Sequence, residues 1–283
     1  MNHANTQLSA FTLIVSLLFI FTACTKEQNN PIAPSEFTKE QRLELGQLIH
    51  NAIALDQDHF EILPKAPPYD TSVYYLLQSL YNQATNVMRV DHQSPSNNRW
   101  EFDKEWPVTV LVSDEKNAFI LPGGFFYITT GFLKAMSREY EAYYVLAFEA
   151  NLMNEGTLLN RLISEINTSS LIDIINGNPS PGGEQGQSMV QILSTLEFNS
   201  DEIWSNDETT TATICSTSKW DRKGIVPLLE SVDNSFEWFT YRPSYPSREQ
   251  FILNMDVDTD AECGIVQTNF QTGGYQRYVL DRL

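Results

Sequence analysis

VTVLVSDEKNAFILPGGFFYITTGFLKAMSREYEAYYVLAFEA, residues 108–150, is the stretch that decides the fold, because the period of its apolar residues changes within it. Up to about Thr130, β-branched and aromatic residues form three short runs, separated by the tight connections DEK (114–116) and PGG (122–124). Such runs are typical of strands. Beyond Thr130 the apolar residues recur at helical spacing. The stretch therefore predicts a small, three-stranded, antiparallel sheet followed by a helix.

Helical patterns lie on both sides of these strands. Thr38 and Gln41 have the spacing of a capping box, which marks the start of a helix. The predicted helices cover residues 37–56, 71–90, 131–155, 157–175 and 187–215. Because helices and strands are segregated rather than alternating along the chain, we expect an α+β fold that is mostly helical.

The first 23 residues predict a signal peptide. Their apolar run, from Phe11 to Phe21, is too short for a permanent membrane span. The sequence FTAC that follows resembles a lipobox, in which Cys24 would become the acylated N-terminus of a bacterial lipoprotein. An ordinary secretory signal with an incidental cysteine is the alternative.

The rest of the chain divides into a tether and a domain. Residues 24–36 are polar, contain prolines and lack periodicity, which predicts a flexible tether. Residues 37–283 are expected to form a single domain that includes a C-terminal segment from about residue 255. The formal net charge of −18 disfavours nucleic acid as a partner, because phosphate backbones are repelled by an acidic surface.

Three cysteines occur in the chain. If Cys24 carries lipid, Cys215 and Cys263 remain as a pair in an oxidising compartment, and we expect a disulfide between them. Two buried free thiols are the alternative.

A set of short motifs points to a protein family. They are Asn117-Ala118-Phe119, Pro122-Gly123-Gly124, the TTG of residues 129–131, the acidic pair Glu139 and Glu141 ahead of VLAFE, and RPSYPSR at 242–248. With these motifs the chain resembles, over about residues 70–255, the zinc metallopeptidase family that includes HtpX and the CAAX prenyl proteases, in its soluble, lipoprotein-like form. The resemblance implies a metallopeptidase-like domain in which the sheet lies beside the active-site helix.

The family's chemistry requires histidines one helical turn apart, a glutamate base after the first of them, and a later glutamate ligand. When this chain is matched residue by residue with the family's histidine motif, the motif falls on Phe148-Glu149-Ala150-Asn151-Leu152. Phe148 and Leu152 occupy the two histidine positions, and only the base, Glu149, is retained. The third ligand position falls on Ser205. We therefore expect vestigial ligand positions, no intact catalytic set, no zinc and no other cofactor.

Arg242 replaces a turn histidine of the family, and a permanent cation there would repel zinc. We expect Arg242, or another cation, to pair with Glu149 in place of the metal. The alternative is that Glu149 is a solvent-facing relic. The resemblance also implies that Asn117, Pro122, Gly123 and Gly124 border a cleft in which an extended peptide binds along a sheet edge. Turn geometry alone explains the same residues.

These observations favour a catalytically inactive homologue, a pseudopeptidase. We expect it to be anchored through Cys24 to a membrane of the bacterial cell envelope, on the periplasmic side, as an outer-membrane lipoprotein. Its expected partner is an envelope protein or peptide, for which it serves as a scaffold or regulator. One alternative is an active zinc metalloendopeptidase with unconventional ligands. Another is a protein that binds a lipid or acyl chain in an apolar cleft.

Overall fold

The computed structural model describes residues 37–65, 71–89, 107–166, 171, 192–193, 196, 198–217, 226–228 and 272–283. All of them belong to one compact unit, Pro34–Leu283. The predicted signal peptide and tether, Cys24, Cys263 and Arg242 lie outside the described residues.

The described elements follow one another in the order helix, helix, three strands, then helices. They are α1 (Lys39–Leu55), α2 (Ser72–Arg89), β1 (Val108–Leu111), β2 (Ala118–Ile120), β3 (Phe126–Thr129), α3 (Thr130–Ala135), α4 (Glu139–Asn154), α5 (Thr157–Ile166), α6 (Ser200–Thr217), α7 (Thr272–Tyr278) and a 3₁₀ turn, Leu280–Arg282. Helices predominate and the strands are consecutive, so the predicted α+β class is confirmed.

The sheet is mixed rather than antiparallel, with strand order β1-β3-β2. β2 and β3 form the expected antiparallel hairpin, but β1 pairs with β3 in parallel. The prediction of an antiparallel sheet was therefore wrong for β1. The reason is that residues 112–117 cross the end of β3 and place β1 on its free edge instead of beside β2. The other side of β1 is also paired, since Leu63 N–H donates to Val110 O at 2.8 Å.

Helices cover both faces of this sheet. Side chains alternate between the faces of a strand, so Phe126 and Tyr127 of β3 point in opposite directions. Tyr127 contacts His50 of α1, and Phe126 packs against Tyr81 of α2 with ring centroids 5.7 Å apart. The sheet therefore lies between α1 and α2, and α4 packs beside α2 and against β2.

Capping explains where the helices begin. The capping box of Thr38 and Gln41 is present at the start of α1, as predicted. The helix expected over 131–155 is instead two helices, because the carboxylate of Glu141 accepts the main-chain N–H groups of Ser137 (2.5 Å) and Arg138 (3.2 Å) and starts α4 afresh.

Within the range 187–215, which was expected to be one helix, Ile192 and Leu193 are helical but α6 begins at Ser200. Asn199 and Glu202 exchange side chain to main chain hydrogen bonds of 2.8 and 3.0 Å, a reciprocal cap that fixes the start of α6. Leu196, Phe198 and Asn199 lie outside helical structure. The residues described ahead of Ser200 are therefore not part of α6.

Among the described helices, none is both long and apolar enough to cross a bilayer.

Candidate functional site

Helix α4 is the central element of the described structure. It contacts α2, α5, α6, α7 and β2, and every residue from Glu139 to Met153 is buried. A helix that is apolar around most of its circumference is stable only when other elements surround it. The helix with the expected vestigial ligand positions, Phe148 and Leu152, is therefore also the core of the fold.

The expected vestigial positions are sealed from solvent. Phe148, Glu149 and Leu152 each have 0% of their surface exposed. The ring of Phe148 stacks with that of Tyr144 at a centroid distance of 6.0 Å. The alternative in which Glu149 is a solvent-facing relic is therefore wrong, because its carboxylate is inside the protein.

Helix α6 meets α4 through polar side chains, which we call the polar seam. Its members are all buried: Tyr144 and Asn151 from α4, and Asn206, Asp207, Thr210 and Thr213 from α6. The Tyr144 hydroxyl donates to Asp207 Oδ1 at 2.5 Å, and Asn206 Nδ2 donates to the main-chain oxygen of Phe148 at 2.9 Å. Asn151 Nδ2 reaches the hydroxyls of Thr210 (3.3 Å) and Thr213 (3.2 Å).

The seam fixes which residues of α6 face α4. Asn206 and Asp207 face α4, whereas Ser205, the matched third ligand position, is exposed. Glu208 is exposed as well. The structure thus brings together Phe148, Glu149 and Leu152 but does not bring Ser205 to them.

A test of zinc chemistry against these residues fails on donor type. Zinc in proteins is held by nitrogen, sulfur or carboxylate ligands, and the side chains of Phe148 and Leu152 contain only carbon and hydrogen. Asn206, which takes the place beside Phe148, already uses its amide nitrogen on a main-chain oxygen. Within the described ranges, no three His, Cys, Asp or Glu side chains come close enough together to hold a metal ion. The residues therefore do not fit a zinc site.

The residues proposed for a peptide-binding edge form a buried turn. Gly123 and Gly124 have φ of 84° and 94°, values that favour glycine. Gly124 N–H donates to Leu121 O at 3.0 Å, and the hydroxyl of Tyr81 donates to Gly124 O at 2.8 Å. The Pro122 carbonyl lies against Gly46 of α1, where a Cβ would come within 1.7 Å of its oxygen. Turn geometry accounts for this motif, and peptide binding by these residues stays a prediction.

Asn117 and the TTG motif join β3 to the loop that crosses its end. Thr129 Oγ1 accepts from Asn117 N–H and from Phe132 N–H, at 3.1 and 3.2 Å, so it also caps α3. Gly131 N–H donates to Ser113 O at 2.7 Å. A Cβ at Gly131 would lie 2.3 Å from the carbonyl oxygen of Asp114. These residues shape the crossing that makes β1 parallel to β3.

Sequence reasoning missed two features. The first is His50, which is half-buried, stacks on Phe125 at 4.8 Å and lies 2.5 Å from the Tyr127 hydroxyl. Burial raises the pKa of Tyr127, so its hydroxyl stays protonated beside His50 Nδ1.

The polar seam was the second feature. The run ETTTATICST in α6 indicates this seam. The threonine hydroxyls donate to main-chain oxygens of their own helix, so a threonine-rich face of the helix can be buried.

Cys215 is disulfide-bonded. Its partner lies outside the described residues, and pairing with Cys263 stays a prediction. Pairing of Glu149 with Arg242 stays a prediction for the same reason.

Two comparisons with known proteins were negative: no protein-family profile matches this chain, and no curated protein matches it.

Proposed function

We propose that this protein is a non-catalytic, degenerate member of the zinc metallopeptidase family of HtpX and the CAAX prenyl proteases, and that it acts by binding. It is anchored through Cys24 to the bacterial cell envelope, where it serves as a scaffold or regulator for an envelope protein or peptide. The observation that carries the proposal is the complete burial of Phe148, Glu149 and Leu152.

Burial supports the proposal because hydrolysis requires access. A glutamate base activates water that is bound to a metal and in contact with the substrate. Glu149 is not in contact with solvent. The side chains at the two expected histidine positions, Phe148 and Leu152, are hydrocarbons and cannot hold a metal beside it. Side chains without a lone pair cannot coordinate zinc.

Recognition must then use the surface. Contiguous exposed apolar patches mark sites of partner contact, whereas single exposed apolar side chains are common. Tyr75 of α2 is 83% exposed and Leu55 at the end of α1 is 60% exposed. These two positions are accessible for contact with an envelope partner.

Metal content and proteolysis test the catalytic half of the proposal. The purified protein and its Glu149→Gln variant are analysed for bound transition metals and incubated with an unfolded protein substrate, with added zinc or with chelator. We expect far less than one metal per chain and no cleavage by either protein. Stoichiometric zinc with chelator-sensitive cleavage that is lost in Glu149→Gln would establish an active peptidase instead.

Labelling and crosslinking test the other half. Wild-type protein is expected to incorporate a fatty-acid probe in cells, and Cys24→Ser is not. A photo-crosslinking residue at position 75 or 55 is expected to give discrete adducts with another envelope protein, while one at the exposed polar residue Glu44 serves as the control. Equal lipid labelling of Cys24→Ser, or the same adducts at all three positions, contradicts the proposal.

A further inference from the structure

The outward side of α2 carries a row of uncharged side chains. Tyr75, Ser79, Asn82, Gln83 and Asn86 recur at helical spacing and so lie along one face of the helix, which we call the neutral face. Tyr75 is 83% exposed, Ser79 and Asn86 are exposed, and Asn82 and Gln83 are half-buried. The opposite side of α2 packs into the core. The neutral face is therefore accessible to a partner.

The absence of charge on this face is unusual for the chain. Charged residues make up 19% of the sequence, yet residues 71–88 contain none. Helix α6 has the same length as α2, 18 residues, and exposes Asp201 and Glu208. Helix α1 exposes Glu40 and Glu44. Depletion of charge together with an exposed tyrosine is the composition of the centre of a protein–protein interface rather than of free surface.

The net charge of −18 indicates which partner suits a neutral face. A cationic partner would be drawn to the acidic residues elsewhere on the surface and would gain nothing from an uncharged helix. Two copies of this chain, in contrast, repel each other wherever acidic residues meet. A second copy of the chain therefore meets the least repulsion on the neutral face.

The neutral face is also complementary to itself. Tyr75 and Asn86 are separated by about 16 Å along the helix. When two α2 helices run antiparallel about a two-fold axis midway between these positions, Tyr75 of each copy faces Asn86 of the other, as an isologous contact requires. Ser79 lies next to this axis, and its small side chain allows the helices to approach to about 8–10 Å. Asparagine and glutamine amides both donate and accept hydrogen bonds, so identical faces can pair.

From these observations we propose that the neutral face of α2 binds a second copy of this chain, in an antiparallel contact about a two-fold axis. This self-association does not rest on the proposed function, and it leaves Leu55 of α1 available to an envelope partner. A contact between single helices is small beside the roughly 1,200 Å² of total surface that a stable complex buries. We therefore expect a weak dimer that forms at high protein concentration.

Analytical ultracentrifugation of the purified protein over a concentration series is the test. The wild-type chain should show a monomer–dimer equilibrium. Ser79→Glu should weaken dimerisation about tenfold or more, because two carboxylates then meet near the two-fold axis. Ser205→Glu, the same change at an exposed position of α6, should leave the dimer unchanged. A wild-type chain that is monomeric at every concentration, or equal weakening by both variants, overturns the proposal.

A second experiment does not depend on a loss of binding. Ser79→Lys alone should also be monomeric, whereas an equal mixture of Ser79→Glu and Ser79→Lys should dimerise, because opposite charges then meet across the axis. A photo-crosslinking residue at position 79 should give a covalent dimer of this chain, and one at position 205 should not. A mixture that stays monomeric, or crosslinks at position 79 that join this chain only to a different protein, overturns the proposal.

Discussion

The side-chain amide of Asn206 donates to the main-chain oxygen of Phe148 at 2.9 Å, which places residue 206, and not its neighbour Ser205, against α4. Alignment of the sequence with the family pattern gives the third ligand position to Ser205. The observed helix pairing differs from this assignment by one residue, which is about 100° of rotation around α6. An attempt to rebuild a metal site must follow the helix pairing.

The first prediction therefore concerns restoration of zinc binding. Phe148→His and Leu152→His combined with Asn206→Glu should bind zinc, because all three donors then face one another across α4 and α6. The same two histidines combined with Ser205→Glu should not, since that carboxylate points to solvent. The zinc-dependent change in Tm measures the difference between the two triple variants. Equal zinc binding by both would contradict the observed helix pairing.

Adding Arg242→His to the first triple variant tests whether the cation at that position opposes the metal.

A second prediction concerns the approach of α1 to the β2–β3 turn. Gly46→Ala should destabilise the protein by about 1–3 kcal/mol, because its Cβ would lie 1.7 Å from the Pro122 oxygen. This is opposite in sign to the usual effect of glycine to alanine within a helix. Urea unfolding measures it, with Asn86→Ala on the exposed side of α2 as the control. A stabilised Gly46→Ala variant would show that α1 does not contact this turn.

The third prediction is a pH dependence of stability at His50. Burial lowers the pKa of His50, and the nearby charge of Lys65 lowers it further. A histidine whose folded pKa is below the unfolded value of about 6.5 contributes stability above that pH and loses it as pH falls through the folded pKa. Wild-type stability should thus fall on acidification below about pH 6.5, and His50→Gln should reduce this slope.

His59 provides a control of opposite sign for that experiment. Its hydrogen bond with Asp56 raises the pKa of His59, so its contribution is present at low pH and is lost as pH rises through the folded pKa. Because the His59 side chain is exposed, His59→Gln should steepen the loss of stability on acidification only slightly. Urea unfolding between pH 5 and 8 measures both variants. Identical slopes for wild type and His50→Gln would exclude the predicted effect.

The fourth prediction concerns the C-terminal helix. Tyr275 of α7 is buried, and its hydroxyl donates to Leu133 O at 2.8 Å. Tyr275→Phe should cost about 1 kcal/mol for the lost hydrogen bond, and Tyr275→Ala about 3–5 kcal/mol for the lost packing. Tyr278→Phe, at an exposed position of the same helix, should be neutral. Chemical denaturation measures all three, and a neutral Tyr275→Ala would mean that α7 contributes nothing to the fold.

Local signals made much of the fold predictable. The capping box at Thr38 and Gln41 lies within one turn, and the strand runs around PGG are a few residues long, so both could be identified from neighbouring residues alone. The side-chain chemistry at positions 148 and 152 is equally local, because the lack of a lone pair belongs to the residue type. The acidic residue Glu141 was noticed as part of a motif, but its role in starting α4 was not predicted.

The relationships that the sequence left undecided all join residues far apart in the chain. Parallel pairing of β1 with β3 depends on the loop that crosses at Gly131, and the burial of His50 depends on the sheet face that α1 covers. Whether residue 205 or 206 faces α4 depends on a rotation of one helix against another. Apolar periodicity defines a helix face only to within about one residue, and α6 has a weak apolar pattern because its buried face is polar. The sequence by itself therefore determined the elements and the chemistry of each position, while packing between distant elements decided which positions meet.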